Sequence, residues 1–248
     1  MIGRAARSRY LRALDMPEWV RRHRASDTSG AAAASAPAAA LAAGAPVRSA
    51  ANVAGPPAAS GADANWEQLR AEVAACTACP LHATRTQTVF GVGRRDASLM
   101  VIGEAPGADE DRQGEPFVGR AGQLLNAMLR GIGFARDDVY IANILKCRPP
   151  QNRDPKPEES ATCTPFLDRQ IGLVGPRVIL AVGRISAQWL LQSDVPIGRL
   201  RGQLHTYGQS QTPVVVTYHP AYLLRSPLAK AKSWQDLLII REVLSGNR

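Results

Sequence analysis

Four short runs of the chain are apolar almost throughout, and longer stretches with helical spacing of apolar residues separate them. Parallel strands that are covered on both faces show this near-continuous apolar pattern, whereas half-exposed strands alternate between apolar and polar residues. The pattern therefore predicts four buried parallel strands. They are SLMVIG (98–103), DVYIANI (138–144), RVILAVG (177–183) and PVVVTYH (213–219).

Predicted helices lie before and between these strands, and a last one follows them. Asn65 is a candidate N-cap for the first, WEQLRAEVAAC, which would carry Cys76 and Cys79 at its end. The others are AGQLLNAMLRGI (121–132), PEESATCTPFLDRQI (157–171), RISAQWLLQ (184–192) and residues 233–244. This alternation predicts an α/β fold, a three-layer α/β/α sandwich whose function lies on loops beyond the carboxyl ends of the strands.

The amino-acid composition changes near residue 62 and divides the chain into three parts. Residues 28–62 are almost all Ala, Pro, Gly and Ser, and such a segment lacks the apolar bulk to offset its chain entropy. We interpret it as a disordered linker between a short basic amphipathic motif at residues 1–27 and a folded domain at residues 63–248. That domain is long enough to bury a core.

The positive charge of the chain is divided unevenly between these parts. The formal net charge is +9, and residues 1–60, with eight Arg and three acidic residues, carry +5 of it. A basic protein suits a polyanionic partner. Because more than half of the excess precedes the folded domain, charge alone is weak evidence that this domain contacts nucleic acid.

The first segment has three possible interpretations. Trp19 and Val20 form an apolar spot beside Arg21, Arg22 and Arg24, which would suit docking to a repair or replication protein or to DNA phosphates. The segment is also Arg-rich like a transit peptide, and it would equally fit an extension without function. The chain has no run of 18 apolar residues and no apolar core of a secretory signal, so we expect a cytoplasmic protein without membrane contact.

The four cysteines of the chain have a spacing typical of a metal site. Cys76 and Cys79 form a Cys-x-x-Cys pair, and Cys147 and Cys163 lie far downstream with fifteen residues between them. Two close and two remote thiolates can complete a four-sulfur site for zinc or for an iron–sulfur cluster. Free buried thiols are the plain alternative, and disulfides fit poorly because the chain is not a small cysteine-dense secreted domain.

The loops after the predicted strands carry side chains that would meet at one edge of a parallel sheet. The loop at residues 103–122 is rich in carboxylates and ends in GRAG, whose amides, with Arg120, would suit a phosphate. Asn143 ends the second strand, and His219 precedes a proline that starts a helix. Each of these residues alone, like Phe117, has a structural explanation as a cap, a turn or core. Together they place an amide, an imidazole, an aromatic ring and carboxylates around one pocket.

Residues 67–244 resemble the family 4 uracil-DNA glycosylases, which carry a [4Fe–4S] cluster. The matching stretches are CTACPL, GEAPGADEDRQGEPFVGRAGQLLNAML, VYIANILKCRPPQNRDPKPEE and TYHPAYLLR. The resemblance implies a four-stranded parallel sheet between helical layers. It also implies hydrolysis of the bond between uracil and deoxyribose, which leaves an abasic site and initiates base excision repair. The cysteine spacing agrees independently and favours iron–sulfur over zinc.

The resemblance also implies which residues bind the base. Asn143 would present its amide to uracil O4 and N3–H, the edge on which uracil and cytosine differ. Phe117 would stack on a base rotated out of the duplex. Glu104 occupies a family pocket position, and Ala105 stands where the best-studied glycosylase family has an aspartate.

Three residues are the candidates for catalysis. His219 would donate a hydrogen bond to uracil O2 as negative charge develops there. Glu110 and Asn152 match family active-site positions and are our candidates for placing the attacking water. Glu110 would alternatively line the C5 edge of the base and help to reject the methyl group of thymine.

The resemblance assigns all four cysteines to a structural [4Fe–4S] cluster, since hydrolysis needs no electron. No lysine occupies a position that demands a Schiff base, so we expect a monofunctional enzyme without lyase activity. Its partner would be uracil-containing DNA, single- or double-stranded, and nothing in the sequence suggests more than a monomer. Two alternatives remain: a relative that crosslinks to DNA, although its basic insertion with a histidine is missing here, and a non-catalytic iron–sulfur DNA-binding repair module.

Two expectations concern contacts with the DNA itself. Lys146 and Arg148, beside a cysteine, would meet phosphates or remain solvated surface charges. Leu223, Leu224 and Arg225, which lead into RSPLAK, would wedge into the duplex where the base leaves, although half of the Leu pair would fit core packing.

Overall fold

The computed structural model describes residues 61–246. The predicted basic motif at residues 1–27 and nearly all of the predicted linker at residues 28–62 lie outside these residues. Within the described part of the chain, no helix is both long and apolar enough to cross a bilayer.

A six-stranded sheet forms the middle of the protein, in the order β1-β3-β2-β4-β6-β5. The four inner strands are parallel, and each outer strand is antiparallel to its neighbour. The strands are β1 (Val92–Gly93), β2 (Leu99–Gly103), β3 (Tyr140–Asn143), β4 (Val178–Val182), β5 (Leu204–Tyr207) and β6 (Thr212–Thr217).

The predicted parallel strands are therefore confirmed, but the prediction of a sheet with only four strands is wrong. β1 is two residues long, which is too short to give a periodic signal. β5 is LHTY, alternately exposed and half-buried, so it lacks the continuous apolar run by which the inner strands were recognised.

Eight α-helices surround the sheet in the described residues. They are α1 (Gly61–Ala75), α2 (Ala108–Gln113), α3 (Arg120–Gly131), α4 (Pro157–Val174), α5 (Arg184–Leu190), α6 (Ile197–Leu200), α7 (Pro220–Arg225) and α8 (Lys230–Leu244). Short 3₁₀ helices span Pro80–Ala83, Arg136–Asp138, Pro150–Asn152 and Pro227–Ala229. Because α1 begins at Gly61, Asn65 lies inside it and is not its N-cap.

Alternation along the strands divides the core into two apolar clusters, one on each face of the sheet. Leu99 and Val101 of β2 face a cluster with residues of α3, α7 and α8. Met100 and Ile102 face the other cluster, which includes residues of α1, α4, α5 and α6. This arrangement confirms the three-layer sandwich.

The carboxyl ends of the parallel strands lie side by side. Gly103, the last residue of β2, pairs with Asn143, the last residue of β3. Val182 at the end of β4 pairs with Thr217 at the end of β6. The loops that follow these residues therefore leave the sheet at one edge, where the sequence predicts the site.

Candidate active site

A cavity of about 240 Å³ opens at the carboxyl edge of the sheet. All seven residues that the sequence singles out for binding and catalysis line it. They are Glu104, Ala105, Glu110, Phe117, Asn143, Asn152 and His219. They come from the loops after β2, β3 and β6, so the fold brings together residues that are up to 115 positions apart in the sequence.

Asn143 is 2% exposed and projects its amide into this cavity. Gly103 makes this position possible, because a Cβ there would lie 2.4 Å from Asn143 Oδ1 and 2.7 Å from Phe117 Cζ. The backbone carbonyl of Asn143 accepts a hydrogen bond of 2.7 Å from Lys146 Nζ. The described residues give its side-chain amide no hydrogen-bond partner, which leaves the amide available to a ligand.

Phe117 is 7% exposed, and its ring lies beside the imidazole of His219. The two ring centroids are 5.8 Å apart and their planes are inclined by 30°. An aromatic face and a ring nitrogen therefore belong to one wall of the cavity.

Glu110 holds the loop after β2 in place. Its Oε2 accepts a hydrogen bond from Gly107 N at 3.1 Å, and its Oε1 accepts from Val118 N at 2.9 Å and from Gly119 N at 3.3 Å. Three backbone donors therefore fix this carboxylate at the cavity wall. Glu110 therefore stabilises the conformation of this loop, in addition to any role in catalysis.

The other carboxylates of this loop are explained by structure. The loop contains helix α2, which the sequence analysis treated as irregular. Asp111 is 4% exposed and accepts hydrogen bonds from the amide and hydroxyl of Thr86, and Asp109 pairs with Arg112 at 2.6 Å. Asp109 and Asp111 thus stabilise the loop through an ion pair and hydrogen bonds, which explains much of its acidic character.

His219 precedes α7 and caps its N-terminus through the ring. Its Nδ1 accepts a hydrogen bond of 3.1 Å from Ala221 N, so the ring proton of the neutral imidazole resides on Nε2. Burial lowers the pKa of His219 to about 4; the charge of Arg225 lowers it further, and that of Glu110 opposes the shift. The imidazole is therefore neutral at pH 7 and has one N–H left to donate.

The rim of the cavity contains a residue that the sequence analysis missed. Arg153 forms a bidentate ion pair with Glu159 of α4, at 2.9 and 2.6 Å, and Glu159 is 2% exposed. Beside it, Asn152 accepts a hydrogen bond of 2.7 Å from Arg148 Nε. The available signal was the short spacing in NRDPKPEE, which puts Glu159 in the first turn of α4 where it can reach Arg153.

Glu104 lines the same cavity and is partly buried. Burial raises its pKa, the nearby Asp154 raises it further, and Arg184 opposes the shift. The pocket thus has an anionic side chain that is more easily protonated than an exposed glutamate.

The four cysteines line a second cavity beneath the loop after β3. All four are free thiols; they are Cys76, Cys79, Cys147 and Cys163. Two polar groups point at the sulfurs, since Arg85 Nη1 donates to Cys147 Sγ at 3.0 Å and Lys146 N donates to Cys163 Sγ at 3.3 Å. Within residues 61–246, no group of three or more His, Cys, Asp or Glu side chains is placed to hold a single metal ion.

One expectation about DNA contacts needs correction. Lys146 is 1% exposed and bonds to Asn143 O and Gln170 Oε1, so it is neither a phosphate contact nor a solvated surface charge. The leucine pair divides as the sequence analysis allowed for half of it: Leu223 is fully buried, whereas Leu224 is 38% exposed and Leu228, in the following 3₁₀ helix, is 91% exposed. The error at Lys146 arises because its buried acceptor Gln170 is distant in the sequence.

Comparison with known proteins places this site in a family context. The model of the uracil DNA glycosylase superfamily matches residues 90–238. The chain is 43% identical over 178 residues to a type-4 uracil-DNA glycosylase of Archaeoglobus fulgidus, which covers 69% of this chain and 89% of the relative. It is 46% identical over 162 residues to that of Thermotoga maritima (64% and 83%), and 36% identical over 118 residues to a type-5 uracil-DNA glycosylase of Thermus thermophilus (42% and 53%).

The lowered pKa of His219 predicts how its ring titrates. Nitrogen-detected NMR of the folded protein should show one imidazole that protonates with a midpoint near pH 4, and the signal should vanish in the His219→Asn variant. Since the unfolded chain takes up this proton first, the contribution of His219 makes the protein more stable as the pH rises from about 4 to about 6.5. A midpoint close to 6.5 would show that the imidazole is not desolvated.

Proposed function

Since the chain belongs to the type-4 uracil-DNA glycosylases of the uracil DNA glycosylase superfamily, we propose that the cavity at the carboxyl edge of its sheet is where uracil is excised. The protein is an enzyme that hydrolyses the N-glycosyl bond of uracil in DNA and leaves an abasic site. The observation that supports the location is the convergence of the Asn143 amide, the Phe117 ring and the neutral His219 imidazole on one cavity.

Uracil reaches this cavity only after it leaves the base stack, which costs a few kcal/mol. The ring of Phe117 offers a stacking face that returns about 1–3 kcal/mol per base. Because the ring is already in the cavity wall beside His219, the stacking contact needs little reorganisation when the base arrives.

Asn143 reads the edge of the base that distinguishes uracil from cytosine. Its Nδ2 donates to uracil O4 and its Oδ1 accepts from N3–H, whereas cytosine presents the opposite donor and acceptor. The side chain lies against Gly103, and the backbone carbonyl of Asn143 accepts a hydrogen bond from Lys146 Nζ, so the residue is in place at the cavity before the base binds. Glu104 and Ala105 form the adjoining pocket wall.

His219 stabilises the leaving group. As the bond to the sugar breaks, negative charge collects on uracil O2, and Nε2–H of His219 donates a hydrogen bond to it. A neutral imidazole is the form that burial and the Ala221 N–H dictate. Such a donor needs no protonation step before the reaction.

Glu110 and Asn152 complete the site on the sugar side. The carboxylate of Glu110 is fixed by three N–H groups and still has a free lone pair on Oε2 for a water. Its negative charge also favours the positive charge that develops at the sugar. Asn152, oriented by Arg148, would hold the same water from the rim.

The proposed enzyme is monofunctional. No lysine is among the described residues that line the cavity, and Lys146, which lies behind Asn143, is buried and engaged by two acceptors. Among the described residues, the cavity lining therefore offers no lysine amine for a Schiff base with the abasic sugar. The intact set of Asn143, Phe117 and His219 likewise disfavours a binding module without activity.

The cysteine cavity fits a [4Fe–4S] cluster. A cluster of four irons holds its thiolates farther apart than a single ion does, which agrees with four free thiols around one cavity that lacks a single-ion geometry. Arg85 and the Lys146 amide would stabilise the thiolates of Cys147 and Cys163. When bound, the cluster would supply a structural crosslink between the segment that follows α1, helix α4 and the loop after β3.

The proposed partners of the protein are those that the sequence analysis predicts. The substrate is uracil-containing DNA, single- or double-stranded, and docking of a repair or replication protein on residues 1–27 is a proposal that lies outside the described residues. A monomer working in the cytoplasm is the simplest form of this enzyme.

The central prediction concerns uracil release. An end-labelled oligonucleotide with one uracil should be cut only after alkali, because the enzyme leaves an abasic site without lyase cleavage. Asn143→Asp should lower the excision rate at least about 100-fold, since a carboxylate has no N–H for O4. The exposed Asn65→Asp on α1 is the matched control and should keep full activity.

Three outcomes would contradict this assignment. An uncut strand after alkali treatment, from folded wild-type protein, would favour the non-catalytic module. Cleavage before alkali would reveal lyase activity. Full activity of Asn143→Asp would remove this residue from recognition of uracil.

Loss of one cysteine should remove the cluster. Cys147→Ser is expected to lose the brown iron–sulfur absorbance and iron, and to unfold at lower temperature, because a buried ligand of the crosslink is gone. Val73→Ala is a suitable control: it trims the wall of the same cavity and should keep its iron. A stable brown Cys147→Ser protein would refute the ligand assignment.

The exposed leucine after α7 should matter for duplex DNA. Leu228→Ala is expected to slow excision from double-stranded DNA several-fold and to leave excision from single strands nearly unchanged, because a wedge helps only where a base must leave a stack. Leu204→Ala, at an exposed leucine on β5, should change neither rate. Equal losses on both substrates would contradict a wedging role.

A further inference from the structure

The backbone of Phe117 lies in a conformation that an aromatic residue rarely adopts. Its φ is +55°, in the left-handed region. Such a conformation is unfavourable for a bulky side chain and persists only where the surrounding structure imposes it. Something in the fold must therefore hold the turn at Phe117, and the contacts of its backbone show what does.

Arg136 binds this turn from behind. It is half-buried in the short 3₁₀ helix that precedes β3. Its Nη2 donates to Pro116 O at 2.6 Å, and its Nη1 donates to Phe117 O at 3.4 Å and to Asn126 Oδ1 at 3.2 Å. One guanidinium thus links two consecutive carbonyls of the turn to the side of α3.

Helix α3 limits the turn from the other side. A Cβ at Gly122 would lie 1.7 Å from Phe117 O, so the first turn of α3 contacts the backbone of Phe117 directly. At the far end of the side chain, the ring packs against Gly103 at the end of β2. The turn at Phe117 is thus held by Arg136 and by helix α3, and its ring is held by the end of β2. Arg136 links the turn to α3 through hydrogen bonds.

We propose that Arg136 is a positioning residue for uracil excision, which acts through Phe117 by holding its ring in place before the base arrives. The guanidinium is not among the groups that line the cavity, so it works without touching the substrate. The inference rests on the proposed function of the cavity. A planar group with several donors in a fixed fork suits this task, because it can reach two carbonyls and an amide oxygen together.

A double-mutant cycle tests the proposal. Arg136→Met, Phe117→Ala and the double variant are compared with the wild type by single-turnover excision of uracil with enzyme in excess. Arg136→Met should slow excision about tenfold in the wild-type background. In the Phe117→Ala background the same change should alter the rate by less than about twofold, because the ring through which Arg136 acts is absent.

Additional variants separate positioning from a general loss of charge or stability. Arg136→Lys keeps the charge, but its single compact ammonium lacks the planar fork that spans the Pro116 and Phe117 carbonyls and Asn126 Oδ1 together, so it should be as slow as Arg136→Met. Arg130→Met, at an exposed arginine near the end of α3, removes the same charge and should excise at the wild-type rate. Thermal unfolding and iron–sulfur absorbance are recorded for each protein. If Arg136→Met does not fold, Asn126→Ala, which removes one anchor of the guanidinium, takes its place in the cycle with a smaller expected loss.

Four results would overturn the inference. They are an unchanged rate for Arg136→Met, an equal loss in the two backgrounds, rescue by Arg136→Lys, and a loss in Arg130→Met that matches that of Arg136→Met. Each of them can occur with a wild-type enzyme that excises uracil normally. An inactive wild type would instead contradict the proposed function itself, so the two failures are distinguishable.

Discussion

One buried ammonium group holds the two functional regions of this protein at a fixed distance. Lys146 Nζ donates to Asn143 O and to Gln170 Oε1, while its backbone amide donates to Cys163 Sγ. Gln170 extends the network to Phe90 O and Tyr140 OH. A buried charge is tolerated only when it is well bonded, so this network demands one arrangement of β3, α4 and the loop between them. The Asn143 amide and the cysteine cavity are thus parts of one hydrogen-bonded unit, so a cluster bound in this cavity, as proposed above, would stabilise the position of Asn143 without any electron transfer.

The charges in the cavity suit the proposed reaction. In that mechanism the neutral imidazole of His219 donates to the uracil that leaves with negative charge, and the carboxylate of Glu110 favours the positive charge on the sugar. Burial makes the imidazole neutral, and three backbone amides keep the carboxylate in place. In the proposed mechanism the protein thus supplies oriented dipoles and a fixed charge that are in place before the reaction begins.

The sequence predicts the elements that have a strong local signal. The four inner strands are continuous apolar runs, and the seven cavity residues follow from motif resemblance, so both could be found before the fold was known. The parts that were missed depend on distant partners. Arg136 is ordinary in sequence and becomes informative only beside Phe117, nineteen positions away; Lys146 was placed at the surface because its partner Gln170 lies 24 positions further on. The short β1 and the half-exposed β5 exist because a neighbouring strand offers hydrogen bonds, which local composition cannot reveal.

These two outer strands also change what the sheet presents to other molecules. Four parallel strands alone would leave long rows of unpaired N–H and C=O groups on both sides, and such rows are templates for the strands of another chain. β1 covers one side with only two residues, and β5 covers the other as a short strand whose Tyr207 is held by Asp168 and whose His205 is held by Leu200 O. Neither outer strand is long, flat and apolar. The edges that remain are therefore short, which makes them poor templates for pairing with the strands of another copy.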